Sequence, residues 1–418
     1  MIKLLKNEQL RKKIFFSLFI IFIFRILTHI PVPGVDLAAI RSFLSGNAFF
    51  GLFDLFSGGG FQNFSVITLG LGPYINASII LQLFSKIIPT LEELSKEGES
   101  GREKLNTYTK MLTVPLSLVQ GYGVYFLLSK QGVMVQMGSL NLTVLLFSLV
   151  AGSMLMIWLG DLVTEYGVGQ GISLLIFVGI VSRLPTSLLS IVSLFESAGF
   201  AKVLFYFVFG ILIIMGIVLV NEGTRNIPIE YGRRGIRSEK VTNYLPVKIN
   251  QAGVIPIIFA VSIVMIPSLI SGPLMATSNQ LLQNVGNFLV KYFSSQDILY
   301  NLLYFLLVFG FTFFYTFMQF DPNKIADDIK KRGGFIPGIR PGRNTESFLR
   351  EIIVRITLIG AIFLGLIAIL PYFIQSITGA SNLAIGGTGI LIVVSVVLDT
   401  IRQVESMMVT RNYQSFLE

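Results

Sequence analysis

Cysteine is missing from all 418 residues, and histidine occurs once, at His29. The first absence excludes disulfides, thiolate metal sites and thiol nucleophiles. The second excludes a histidine pair for zinc or a proton relay. Charge is scarce as well: 13% of residues are Asp, Glu, Lys or Arg, against 53% hydrophobic, and the mean hydropathy is +0.74. So little charge over such a length describes a polytopic membrane protein rather than a soluble domain. The acidic residues inside the apolar stretches are scattered. Asp161, Glu165 and Asp399 stand singly near span ends, whereas paired-carboxylate chemistry needs two together. An enzyme is therefore the weakest class of reading. A small-residue cleavage site is lacking too: Ile14 to Ile30 has a basic front but ends in HIPVPG. That stretch reads as a first span, not a removable signal.

What is present is a series of ten apolar runs, at about 14–31, 65–88, 111–129, 142–163, 171–190, 203–221, 253–272, 299–320, 350–373 and 385–401. Each is of the roughly 17 to 25 residues that cross a hydrocarbon core. An even number puts both termini on one side. Among the 32 Lys and Arg, only Arg41, Lys130, Arg183, Lys202 and Lys291 fall on the other side, and Arg25 lies inside the first span. The rest gather on the side of the termini, which marks that side as cytoplasmic. The net charge of +9 follows from this bias and needs no nucleic-acid partner to explain it. Arg25 is expensive within a span unless it snorkels or pairs.

The sequence is organised around Gly51 to Phe84, which reads as a broken membrane segment. Phe50, Leu52, Phe53, Leu55 and Phe56 suggest a short amphipathic turn or two, ended by Gly58, Gly59 and Gly60, since three glycines favour no regular element. From Ser65 to Phe84 the chain is long enough to cross about 30 Å of hydrocarbon. The first half is not, and a half-helix at membrane depth is tolerated only beside protein or a water-filled cavity. In the second half Leu71, Ile75 and Ile79 repeat four apart on one face, with Tyr74, Ser78 and Gln82 on the adjoining face. The apolar stripe either packs on lipid or another helix, with the polar one making interhelical hydrogen bonds, or lines a constriction beside the cavity.

The connecting segments are less specific. KIIPTLEELSKEGESGREKLNTYTK reads as a mixed-charge solvated loop. GVGQG, from Gly167 to Gly171, has neither a preceding strand nor a following Lys, so it is a weak phosphate loop. It more simply opens the fifth span, where glycines allow close helix approach. Two long basic loops follow the sixth and eighth spans, at about 222–250 and 321–348. Topology alone accounts for their charge. It does not account for the Gly and Pro punctuation of GGFIPGIRPG, which holds Arg340 and Arg343 on a shaped tip.

Several stretches in order, RILTHIPVPGVD, LFDLFSGG, LGLGPYINASIILQL, KEGESGREKLNTYTK, WLGDLVTEYGVGQGISLLIFVGIV, LPVKINQAGVIPIIFA, GGFIPGIRPG, GGTGILIVV and RNYQSFL, resemble the SecY family of protein-conducting channels over nearly the whole chain. The resemblance implies an all-α polytopic protein with ten transmembrane helices. Two pseudo-symmetric halves, residues 1–200 and 201–418, would form an inverted repeat and close as a clamshell around an hourglass pore. It places a pore ring on Leu71, Ile75, Ile79, Ile172, Ile176, Ile258 and Ile392. A plug would occupy about 50–63, with Phe53, Asp54, Leu55, Phe56, Gly58, Gly59, Gly60 and Asn63, and the glycine run would be its hinge. Asn76 and Ile266 match positions on a lateral gate between spans two and three and spans seven and eight.

Arg233, Arg234, Arg237, Arg340 and Arg343 match the docking surface for the ribosome and the SecA ATPase. The small subunits SecE and SecG, signal sequences, unfolded preproteins and the lipid bilayer are the other implied partners, in the bacterial cytoplasmic membrane and with no cofactor. The chain departs from the family pattern at Leu71, where Ile is usual, at Asn63, where Arg is common, and at Ile266, where Phe is common. A secondary transporter shares broken helices and inverted repeats. It would hold ionisable groups at mid-membrane, where the matched positions here are Ile and Leu. A membrane insertase or passive scaffold differs only in lacking a continuous aqueous path.

Overall fold

In a computed structural model the chain is described over residues 8–32, 35, 37, 39–40, 57–130, 132–134, 137–183, 185, 200–231, 242–275, 277, 279–293, 297–378 and 387–414. Each of the ten expected spans falls on a helix: α1 (Glu8–Leu27), α2 (Gly72–Ile87), α4 (Glu99–Lys130), α5 (Ser139–Tyr166), α6 (Gly171–Val181), α7 (Phe200–Glu222), α8 (Ile255–Met275), α10 (Ile298–Gln319), α12 (Arg343–Thr378) and α13 (Gly387–Gln414). Helices are what such runs must form, because lipid offers their backbone groups no partner. Among the described residues α4, α5, α10, α12 and α13 are each long and apolar enough to cross a membrane, and α2 with α3 (Pro89–Lys96) forms a pair bent by 102°. The bend is local chemistry. Ile88 is extended at φ −97° and ψ 113°, as the residue before a proline prefers, and Pro89 then starts α3.

Three expectations change. The second span starts at Gly72 rather than near Ser65, and residues 57–71 are turns. Their backbone groups are satisfied by turn bonds such as Ser65 N–H to Gly60 O, 2.9 Å, and Gly70 N–H to Ile67 O, 2.8 Å. The segment read as a solvated loop after the second span is instead helical, as α3 and the first turns of α4. Its charged residues make exposed pairs, Lys96 with Glu92 at 2.8 Å and Lys104 with Glu97 at 3.6 Å. The Lys96 hydrogen bond holds the Glu92 carboxyl below the usual carboxylate range.

The two basic loops also carry structure. β1 (Thr224–Tyr231), β2 (Thr242–Lys248) and β3 (Gly334–Phe335) make an antiparallel sheet ordered β2-β1-β3. Alternation sets its faces: Ile227, Ile229 and Val247 are buried, and Ile227 and Val247 form a core with Leu349, Ile352 and Ile353 between the sheet and the start of α12. The short helix α11 (Pro322–Lys331) is capped by Asp321, whose carboxylate accepts from Asn323 N–H. The membrane body remains all-helical, with this sheet at one end of it.

Apolar packing divides along the chain. One cluster, including Val32, Phe64, Leu128 and Leu149, uses residues before 150 alone. Another, including Ile217, Val264, Val308 and Leu364, uses residues after 210 alone. The amphipathic helix α9 (Gln280–Tyr292) packs on α8 through Gly286, which is buried against Met275 and Ser271. GVGQG serves helix packing as expected. A side chain at Gly171 would collide with Gly160 O on α5, so the glycine lets α6 lie against α5.

Candidate functional site

One further cluster joins residues from both ends of the chain, and all seven expected ring residues belong to it. Leu71, Ile75, Ile79, Ile176, Ile258 and Ile392 are buried within it, and Ile172 packs against it partly buried. They arrive from α2, α6, α8 and α13, with Leu71 at the N-cap of α2 at φ −91° and ψ 0°. The i, i+4 spacing of Ile75 and Ile79, and of Ile172 and Ile176, aims each pair the same way. Ile67, Phe24, Leu175, Phe259 and Val396 pack around them. Seven branched apolar side chains from four helices and their ends thus belong to one cluster.

A cavity of about 490 Å³ adjoins this collar. Ile75, Ile172, Ile176 and Ile258 line it on the collar side, while Gln170, Lys248, Gln251, Gln319, Asp399 and Arg402 line it towards the sheet. On α13 its wall runs from Ser395 to Arg402, so Ile392 lies one turn beyond. A polar chain braces the wall: Asn250 Nδ2 donates to Asn221 Oδ1 at 2.8 Å, and Asn221 Nδ2 to Ser395 Oγ at 2.9 Å. Arg402 closes it with a 2.8 Å bond to Glu222. The cavity is therefore lined by polar groups towards the sheet and by apolar ones at the collar.

The glycine turn precedes α2 in the chain. Gly58 has φ +65°, and a side chain there would overlap the Phe24 ring and stand 3.1 Å from Gly179 Cα. Only glycine fits both the left-handed backbone and the space. Arg25 Nη1 donates to Gly58 O at 3.0 Å, and Asn63 Nδ2 donates to Thr28 O at 3.1 Å. Arg25 thus has the partner that its place in a span demanded. Phe64 is fully buried at φ +38°, a conformation that costs about 1–2 kcal/mol for a residue with a Cβ. Of the other expected plug residues, Gly59 and Gly60 lie in this turn, and Phe53, Asp54, Leu55 and Phe56 lie outside the described residues.

α2 touches α8; of the two residues expected at a lateral gate, Asn76 on α2 is half-buried and Ile266 on α8 is exposed. A contact that the sequence did not reveal lies nearby: the Tyr315 hydroxyl of α10 donates to Gln82 Oε1 of α2, and Gln82 Nε2 donates to Ser78 Oγ at 2.8 Å. Tyr315 also stacks edge-on against Phe259 of α8, with centroids 4.9 Å apart. Gln82 was visible as part of a polar stripe, but nothing in the aromatic run of 298–319 singled out Tyr315. Lys110 of α4 pairs with Asp161 of α5 at 2.6 Å.

On the sheet end Arg340 is exposed on the connection between β3 and α12, where Thr345 Oγ1 donates to Arg340 O at 3.1 Å. Arg343 is exposed but is the first residue of α12 rather than part of the tip. The helix begins earlier than the apolar run because its first turns rest on the sheet. Arg233, Arg234 and Arg237 lie outside the described residues.

The family model SecY matches residues 65–401. Protein translocase subunit SecY of Thermus thermophilus is 41% identical over 426 residues, covering 99% of this chain and 96% of that protein. The protein of that name from Corynebacterium glutamicum is 41% identical over 442 residues, covering 100% of this chain and 99% of its own. Among solved structures, one described as a protein conducting channel superposes with a TM-score of 0.67 at 20% identity, covering 97% of this chain and 94% of that one. Sec61 in a canine ribosome-channel complex gives 0.65 at 20% identity, covering 97% and 94%. Those superpositions bear on the fold.

Proposed function

The chain belongs to the SecY family, is a multi-pass membrane protein and forms a protein-conducting channel; we propose that the seven-residue collar is the seal through which unfolded polypeptides pass. What carries the reading is that Leu71, Ile75, Ile79, Ile172, Ile176, Ile258 and Ile392 share one cluster next to a cavity whose far wall carries Gln170, Lys248, Gln251, Asp399 and Arg402. A translocating chain brings side chains of every chemistry, and a site made of hydrogen bonds or charges would trap some of them. Branched apolar side chains hold nothing tightly, yield to what passes, and close to a width that water leaves.

The remaining parts follow from the same reading. Residues 1–200 and 201–418 act as two halves, which the one-sided apolar clusters favour and the collar joins. The segment at about 50–63 is the plug, and Gly58, Gly59, Gly60 and Asn63 are its attached end. The seam of α2 and α4 with α8 and α10 is the lateral exit, marked by Asn76 and Ile266. A signal sequence or nascent membrane helix leaves through it because its apolar surface favours lipid by about 25 cal/mol per Å².

Arg340 and Arg343, with Arg233, Arg234 and Arg237, form a basic docking surface for the SecA motor or for the ribosome, whose RNA backbone favours Lys and Arg. SecE and SecG complete the complex in the bacterial cytoplasmic membrane, with both termini cytoplasmic as the Lys and Arg bias directs. The test is Ile75→Asn and Ile392→Asn, with ion conductance and export of substrates carrying defective signal sequences as readouts. Each variant is expected to raise resting conductance and to relax signal stringency by about tenfold. Unchanged conductance and stringency in both would remove the collar from the seal.

A further inference from the structure

Three consecutive glycines read as a hinge, yet their surroundings are those of an anchor. Ser57, Ser65 and Thr68 are buried polar residues in this turn. Phe61 N–H is bound to Ser57 Oγ at 3.0 Å, and Thr68 Oγ1 donates to Ser65 O. Beyond these internal bonds, the turn is joined to the end of α1 along two backbone hydrogen bonds, Val32 N–H to Phe64 O at 2.9 Å and Val66 N–H to Ile30 O at 3.2 Å, with Pro31 and Ser65 as antiparallel bridge partners. Directional bonds of this kind, made among buried residues such as Ser57, Phe64 and Ser65 where water is not at hand to replace them, resist opening.

We propose that Arg25 is the positioning residue that fixes the glycine turn to α1, so that Gly58 to Gly60 stays seated while a polypeptide passes the collar. Its guanidinium donates to Gly58 O at 3.0 Å, and it reaches that oxygen across 33 residues of sequence. Asn63 does the same at the far side of the turn, through Thr28 O. One bond comes from Arg25 in the last turn of α1 and the other goes to Thr28 just past its end, so the end of α1 holds the turn at two points. The first span therefore carries a charge for a reason that topology does not supply: a buried carbonyl in a left-handed turn needs a donor, and Arg25 provides several in a fixed fork. This rests on the plug reading, because the turn is the plug's attached end.

The absence of cysteine makes the test direct. Pro31→Cys with Ser65→Cys joins bridge partners, whose Cα spacing in an antiparallel pair suits a disulfide. Oxidised in reconstituted vesicles with SecA, the pair is expected to export within about twofold of the reduced form. An export loss of about tenfold on oxidation, restored by reductant, would show that the turn must lift and would overturn the proposal. Arg25→Leu is expected to raise resting ion leak by about tenfold, while Arg25→Lys, which keeps a donor, stays within about threefold. A wild-type leak in Arg25→Leu, with the protein accumulating normally, overturns Arg25's role. Deleting residues 50–56 separates the two readings. No rise in leak after that deletion rejects the plug itself, whatever the disulfide does.

Discussion

The glycine turn comes just before α2 and the first collar residues stand at the start of α2, yet the two are held in opposite ways. The collar is seven Leu and Ile side chains with no directional bond between them. The turn is fixed by Arg25, Asn63 and a backbone pairing to α1, with Gly58 and Phe64 in left-handed conformations. Dispersion contacts are individually weak and reform in new arrangements, whereas hydrogen bonds at membrane depth have few alternatives. The part proposed to yield to any sequence is built from the first kind. The part proposed to stay seated is built from the second.

The sharpest way to break that contrast is at Gly58. Gly58→Val combines a β-branched residue at positive φ with overlap on Phe24, and it is expected to cost about 3 kcal/mol or more. Accumulation in membranes and melting in detergent should both fall. Collar substitutions among apolar residues, such as Leu71→Ile, are expected to stay within about 1.5 kcal/mol. Equal losses at the two sites would erase the distinction.

Arg340→Glu tests whether the seal can be separated from what drives traffic through it. The residue is exposed and away from the collar, so its effect on stability should stay within about 0.5 kcal/mol. Motor-driven export in vesicles is nonetheless expected to fall by more than about tenfold, since the substitution reverses the charge of the proposed docking surface. Normal export would remove Arg340 from the docking surface.

A smaller effect is expected at the seam. Tyr315→Phe leaves Gln82 Oε1 without its tyrosine donor, a loss of about 1–2 kcal/mol to the closed arrangement. Weak signal sequences should then insert several-fold better, read by protease protection of the exported domain. A second substitution, Gln82→Leu, replaces both polar partners by apolar ones, and it should recover part of the closed state. If the single variant keeps full stringency, the Tyr315 bond plays no part in gating.

Much of the site was legible because it is periodic. The 71, 75, 79 spacing placed three collar residues on one face before any fold was known, and the family resemblance supplied the four from α6, α8 and α13. The long apolar runs located every span, because lipid leaves their backbone one solution. What escaped were contacts between residues far apart in sequence. Gly58 and Arg25 are both conspicuous, one as a turn residue and one as a charge in a span, but nothing local pairs them. Tyr315 looks like any aromatic residue in its helix. The sheet was hidden for another reason: Ile227, Ile229 and Val247 alternate over too few residues, within loops whose basic character dominates. The start of α2 was misplaced because Ile67, Leu69 and Leu71 are as apolar as a helix, although the residues they belong to are turns.

Photo-crosslinking places the collar under the most direct examination. A preprotein arrested halfway through export, with probes at position 75 on α2 and position 392 on α13, should crosslink from both positions to the same short stretch of the arrested chain. Probes that label only lipid, or that reach the preprotein from one position and not the other, would contradict a collar that encircles the passing polypeptide.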